Sequence, residues 1–313
     1  MTRNRPLALV LVLATAFAPA AAQTRLVIVS GLGGAPKYTH EFSQLSTALA
    51  QAAKDRAGLP DSAIAWYGDP AGAKSRWYRG PSLKDTLDAV LGRFADRPVT
   101  EQLVLVLIGH GSGEGSDTRI SLPGPDLTAK DFARILGRMG QRRVAFLNLT
   151  SASGDMMSVL AAPGRVVITA TKSAFERNES HFAEYFVEAF AKDGADTDKD
   201  NRVSLLEAFR YAEAETKRLY DNDSRMLTEH AQMADESEVA RLFFLTPGAR
   251  ARAGGNARLN ELYTETFALD EQVQALRKRK ASMAADAYEA ELERLLVPLA
   301  LKSREIRQLE RGP

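Results

Sequence analysis

The stretch QLVLVLIGHGSG, from Gln102 to Gly113, decides how this chain is read. Leu103 to Ile108 are apolar without a break. A strand with one wet face alternates polar and apolar residues, whereas one covered on both faces does not, so this run belongs inside a parallel sheet. Gly109 ends the run, and His110 follows at the strand's carboxyl end with Gly111 and Gly113 beyond it. Similar runs occur in RLVIVS (Arg25–Ser30), AIAWY (Ala63–Tyr67), RVAFLNL (Arg143–Leu149) and RVVITA (Arg165–Ala170). Amphipathic helical patterns follow the five runs at 41–57, 82–95, 128–139, 155–161 and 181–192. Repeated βα units predict an α/β fold, a mostly parallel sheet sandwiched by helices. Ligands in such sheets bind at the carboxyl ends of the strands, where His110 stands.

The outer parts of the chain read differently. Arg3 and Arg5, the apolar run Leu7 to Ala18 and the small residues Ala20 to Ala22 predict a signal peptide over 1–22, cleaved before Gln23. The expected location is therefore the periplasm or the exterior. Removing the two arginines takes the formal net charge from +1 to −1, which gives no electrostatic case for nucleic acid. No later run is long and apolar enough to suggest a transmembrane helix. The absence of cysteine excludes disulfides, thiolate metal sites and a thiol nucleophile. The α/β domain is expected over 23–248, with Glu238 to Leu245 a further strand or a buried helix end. A Gly-rich linker over 249–257 leads to a helical hairpin over 258–313. Its seam is expected at Leu292, Leu295, Leu296 and Leu299, with Lys278, Arg279 and Lys280 at the end of the first helix and a kink at Pro298. Such a hairpin could pack on the domain or mediate association with itself or a partner.

Candidate chemistry collects in two places. The first is HGSGEG, from His110, together with NLTSASG, from Asn148 to Gly154. Adjacent strand ends would bring Ser151 near His110, a nucleophile beside a base. Neither GLGGAP (Gly31–Pro36) nor the His110 loop has dinucleotide or P-loop spacing, and there is no G-x-S-x-G elbow. No histidine pair has H-E-x-x-H spacing, so zinc is not indicated. His40, His181 and His230 read as a cleft or cap residue, a structural helix residue and a loop residue near the cleft. Trp66, Tyr67, Trp77 and Tyr78 flank GDPAGAKSR and read as loop packing.

The pattern of strand, His-Gly, then strand and x-Ser-Gly resembles the legumain-like peptidases of the caspase-like clan. HGSGEG…ISLPGPDLTAKDF is similar to that family's His-Gly loop, hairpin and helix, and VSGLGGAPKYTHEF to its first loop. The resemblance runs from Arg25 to Ala191 and implies a caspase-like sandwich. It implies catalytic roles for His110 and Ser151, with the Gly111 N–H in an oxyanion hole, and a peptide cleft involving Gly33, Tyr38, His40 and Ser153. Ser151 then stands on the nucleophilic cysteine. Gly33 replaces an asparagine that assists the histidine, Thr39 an arginine of the specificity pocket, and Ala152 a glutamate of that pocket. These departures remove the basis for asparaginyl specificity. A serine hydroxyl also needs a well-oriented base where a thiolate does not, and no residue in the sequence is evident to orient His110.

The second place is DTDKDNRVSLLE, from Asp196 to Glu207. Asp196, Asp198 and Asp200 fall on loop positions one, three and five of the EF-hand pattern. Arg202 supplies a backbone carbonyl at seven, Ser204 falls at nine, and Glu207 takes the bidentate twelfth place. Asn201 replaces the usual glycine at six and tolerates the left-handed turn required there. The spacing predicts a structural Ca²⁺ site. Three functions follow from the whole: a peptide-binding cleft of a degenerate peptidase, a serine-type peptidase using Ser151 and His110, or a calcium-dependent assembly module acting through the hairpin. The lost cysteine, asparagine and arginine favour binding over cleavage.

Overall fold

The structure, a computed structural model, describes residues 24–70, 74–99, 101–140, 142–199, 202–236, 239–243, 245 and 257–310. The signal peptide, Asp200 and Asn201, Glu238 and nearly all of the linker lie outside the described residues.

In chain order the first elements are β1 (Thr24–Ser30), α1 (Pro36–Asp55), β2 (Ile64–Tyr67), β3 (Tyr78–Gly80), α2 (Lys84–Ala95) and β4 (Gln102–Ile108). Three two-residue strands follow, β5 (Gly111–Ser112), β6 (Arg119–Ile120) and β7 (Leu127–Thr128), then α3 (Ala129–Gly137) and β8 (Val144–Asn148). The domain continues with α4 (Met156–Leu160), β9 (Arg165–Thr169), α5 (Phe182–Ala191), α6 (Leu205–Asn222) and β10 (Gln232–Ala234). The hairpin is α7 (Ala257–Lys278) and α8 (Ala285–Glu310).

Seven strands form one sheet in the order β10-β9-β8-β4-β1-β2-β3. All its pairs are parallel except β10 on β9. Alternate residues of each strand feed two cores. Leu26, Ile28, Val104 and Val106 pack with α1, α5 and α6, while Val27, Val29, Leu103 and Leu105 pack with α2, α3 and α4. The unbroken apolar runs are thereby explained, since both faces of the sheet are covered. The expected sandwich is what the structure shows, C-terminal helices included.

Several boundaries differ from expectation. α1 starts at Pro36, not Glu41. Proline suits the first turn because its φ is preset and its missing donor would go unused there. Among the described residues of Glu238 to Leu245, Ala240–Leu242 is a single 3₁₀ turn, with Phe243 and Leu245 buried beyond it, where a strand or a helix end was expected. Trp66 and Trp77 are buried, their indole N–H groups donating to Ser30 Oγ (2.8 Å) and Asp61 Oδ1 (3.0 Å), so they are core residues.

In the hairpin, Leu259 and Leu262 meet Ile306, and Val273 and Leu276 meet Tyr288 and Leu295, so the helices run antiparallel. The ion pairs Arg258–Glu305 and Lys302–Glu265 bridge them. α7 ends at Lys278, as the basic run suggests. Of the expected seam, Leu295 is buried and Leu292 packs against its cluster, but Leu296 is 39% exposed. Leu296 lies one residue, about 100°, around the helix from Leu295 and so leaves the contact stripe.

Candidate active site

β4 and β8 are parallel neighbours, in register from Leu103 opposite Val144 to Leu107 opposite Asn148. The segments that follow them therefore emerge side by side. The Gly111 N–H donates to Ser151 Oγ over 3.3 Å. A Cβ at Gly111 would lie 2.1 Å from the Ser151 carbonyl oxygen and 2.6 Å from Thr150 Oγ1, so only glycine permits this approach. Gly154 is constrained in the same way, its missing Cβ lying 2.1 Å from the Lys172 carbonyl carbon.

The loop that carries Ser151 is held from beneath. Asn148 Oδ1 accepts from the Thr150 N–H (3.2 Å) and hydroxyl (2.8 Å). The Ser153 N–H donates to Thr171 Oγ1 (2.8 Å), and Ser153 Oγ accepts from the Thr171 N–H (3.3 Å). The Ala152 N–H donates to the Glu176 carbonyl (2.8 Å). Ala152 has φ 50°, a left-handed conformation that costs an L-residue about 1–2 kcal/mol, and the surrounding bonds hold it there. Ser151 therefore sits on a stiff turn.

His110, Ser151 and Tyr38 line one open cleft, together with Glu41, Phe42, Arg177 and Glu179. The His110 ring meets Tyr38 edge-on at 4.6 Å and Phe42 at 5.0 Å between centroids. These contacts fix its plane. Among the described residues, the ring makes no hydrogen bond, either to Ser151 or to a carboxylate that would set its tautomer. Burial and then the charge of Glu179 hold the Glu41 carboxyl above its usual range.

The other expected cleft residues lie elsewhere. Ser153 is fully buried in its bonds with Thr171. His40 is exposed and outside the cleft lining. Gly33 is buried against the start of α1, where a Cβ would lie 2.4 Å from Thr39 N and 2.4 Å from Thr39 Oγ1. The position that the legumain resemblance gives to an asparagine is thus closed by Thr39. His181 begins α5, and its N–H donates to Glu229 Oε1 (3.0 Å), a structural role.

A carboxylate-held imidazole does exist, but it is His230. Its Nδ1 lies 2.6 Å from Glu176 Oε1, and its N–H donates to Glu176 Oε2 (3.0 Å). Burial pushes the Glu176 carboxyl up, but hydrogen bonds from the Lys172 N–H and from His230 outweigh this and hold it below the usual range. His230 and Glu176 are not among the residues lining the cleft. Sequence reading did not pair them because 54 residues separate them. Glu41 was equally missed, because α1 was expected to begin there.

In the acidic loop, ligand oxygens of Asp196, Asp198 and Glu207 lie within 4.8 Å of one another. Glu207 is also the N3 residue of a capping box on α6. Its Oε2 accepts from the Ser204 N–H (2.9 Å) and hydroxyl (2.8 Å). Its Oε1 accepts from the Thr197 N–H (2.9 Å) and hydroxyl (3.0 Å) and from the Asp198 N–H (3.3 Å).

No family model matches the chain, and no curated protein matches it. Among solved structures, the chain is similar to caspase-1 from Spodoptera frugiperda. The identity is 9%, the match covers 69% of this chain and 87% of that one, and the TM-score is 0.43.

Proposed function

We propose that the chain is a caspase-like, legumain-related peptidase homologue whose cleft binds a peptide segment and which has lost thiol chemistry. One observation carries the reading. The Ser151 hydroxyl rests on the Gly111 N–H and shares no hydrogen bond with His110 among the described residues. In acyl transfer that N–H should be free for the developing oxyanion, while the attacking hydroxyl should lie on the base. Here the would-be nucleophile occupies the would-be oxyanion donor, and among the described residues no carboxylate is bonded to the base. Such a site offers an open cleft and lacks what a serine needs in place of a thiolate.

A peptide library offered to the full chain, to Ser151→Ala and to His110→Ala tests this. Binding without turnover in the full chain is expected. Turnover abolished in both variants would establish the serine-peptidase alternative instead.

The same reading includes export and a structural calcium ion in the 196–207 loop. Two ligands on one Ca²⁺ stand no more than about 5.2 Å apart, which the 4.8 Å convergence of carboxylates satisfies. Asp196, Asp198 and Glu207 would hold the ion, with Asp200, the Arg202 carbonyl and Ser204 as further ligands from the spacing. The ion would supply fixed positive charge between α5 and α6 and take no part in the cleft. Association through the hairpin remains a separate proposal, tested by sizing the chain with and without residues 256–313.

A further inference from the structure

The helix that walls the cleft carries an unexpected residue. α1 turns Tyr38, Glu41, Phe42 and Leu45 toward the opening. Their i, i+3, i+4, i+7 spacing is that of a single helix face, ordinarily an apolar stripe. Glu41 interrupts it. Its carboxylate is half-buried and makes no hydrogen bond or ion pair among the described residues. Nearby charges offset its burial only in part: Lys37 and His181 favour its charged form, but burial, Glu179 and Glu184 outweigh them, and the Lys37 Nζ is bonded to Glu179 at 3.1 and 3.3 Å. Glu179 also lines the cleft, its charge matched by that Lys37 ammonium. Arg177 also lines the cleft, but its Nε donates to the Ala174 carbonyl (3.0 Å) and its guanidinium pairs with Glu114 at 3.6 Å. Beside Glu41 stand the rings of Tyr38 and Phe42, whose faces attract cations. Tyr38 already holds the Lys37 ammonium 5.0 Å from its centroid.

An unpaired carboxylate on a partly desolvated wall is costly unless a cation meets it. Aromatic neighbours add to the attraction for a cation and do nothing for an anion. Neutral side chains gain from the apolar part of the stripe but leave Glu41 unmatched.

We propose that the cleft selects a peptide segment by a cationic side chain, lysine or arginine, and that Glu41 is the specificity-determining residue. The proposal rests on reading the cleft as a peptide site. It does not require turnover, and it rejects aspartyl and asparaginyl selection alike.

The test uses the full chain carrying Ser151→Ala, so that no probe is consumed. Fluorescein-labelled, blocked hexapeptides differing at one central position (Lys, Arg, Asn, Asp or Leu) are titrated by fluorescence anisotropy. A charge-assisted contact predicts that Lys and Arg peptides bind roughly 10- to 100-fold tighter than the Leu and Asp peptides. The preference should shrink as salt rises. Glu41→Gln should abolish the preference while leaving the weaker binding common to all peptides. Glu41→Asp, which keeps the charge, should retain most of it. Equal binding of all peptides, or a preference that survives Glu41→Gln, overturns the assignment of Glu41 and leaves the cleft reading standing. Failure of every peptide to bind, with the circular dichroism of a folded chain, overturns both.

Discussion

Replacing Glu207 with alanine separates the two roles that its carboxylate could play. As a cap, Glu207 accepts five hydrogen bonds. Three come from Thr197 and Asp198, which are exposed, so water can replace the lost acceptor there. The other two come from Ser204, which is 2% exposed and has no such recourse. Stranding a buried donor costs about 1–3 kcal/mol, and losing a helix cap about 0.5–2 kcal/mol. The two overlap, so Glu207→Ala should cost roughly 2–4 kcal/mol. For a domain of this size that is a fall in Tm of roughly 4–16 °C. Asp198 is exposed and outside the box, so Asp198→Ala in chelator should cost less than Glu207→Ala. Thermal melts of the three proteins in chelator, then in calcium, read both roles. A bound ion should raise the Tm of the parent, by about 2.7 kcal/mol of stability at 100 times Kd. Asp198→Ala should lose that increment. A Glu207→Ala melt in chelator that matched the parent would refute the capping argument, whatever calcium does. Loss of calcium response on Glu207→Ala alone would not identify a ligand, because the cap is lost too; Asp198 is the cleaner probe.

Three further outcomes follow from named contacts. Gly33→Asn places a Cβ 2.4 Å from Thr39 N, so the first turn of α1 must move. Overpacking of this kind costs about 1–3 kcal/mol, and differential scanning calorimetry should show a Tm loss together with weakened peptide binding as Tyr38 shifts. Ser153→Ala removes the acceptor of the buried Thr171 N–H and should cost about 1–3 kcal/mol in urea unfolding, the mark of a structural hydroxyl. Glu101 is held below the usual carboxylate range, first by its hydrogen bond with Arg97 and, against burial, by Arg25. Its ionised form is favoured in the folded state, so its contribution is present above the unfolded value near 4.3 and lost as pH falls through the folded one. Glu101→Gln should therefore lower stability at pH 7 and flatten its acid limb; an unchanged limb would refute the assignment.

What could be read from the sequence, and what could not, divides along physical lines. Buried parallel strands announce themselves because water touches neither face, so β1, β4, β8 and β9 were placed to within a residue or two. β3 and β10 have three residues each, too few for any period, and both lie at sheet edges. The convergence of His110 and Ser151 on one cleft was legible because it follows from strand adjacency. The Glu176–His230 contact was not, because it depends on how a loop and an edge strand return to the sheet. Ser153 was misplaced for a similar reason. Sequence alternation cannot tell which hydroxyl of SASG faces the cleft and which faces Thr171.

The glycines of the two loops bear on what a motif can say about activity. Gly111 and Gly154 are required because carbonyl groups of facing segments fill the space their side chains would need. That requirement is steric and is independent of which atom attacks a substrate. The His-Gly and x-Ser-Gly pattern therefore reports a backbone arrangement, two strand ends pressed together beneath a cleft, and would do so in an enzyme or in a binder. The chemistry is written instead at positions the backbone leaves free to vary. Ser151 offers a hydroxyl that rests on the Gly111 N–H, and Glu41 brings a charge onto an otherwise apolar helix face. On the proposed reading, those two positions would make a cleft that recognises a side chain through charge rather than one that breaks a bond.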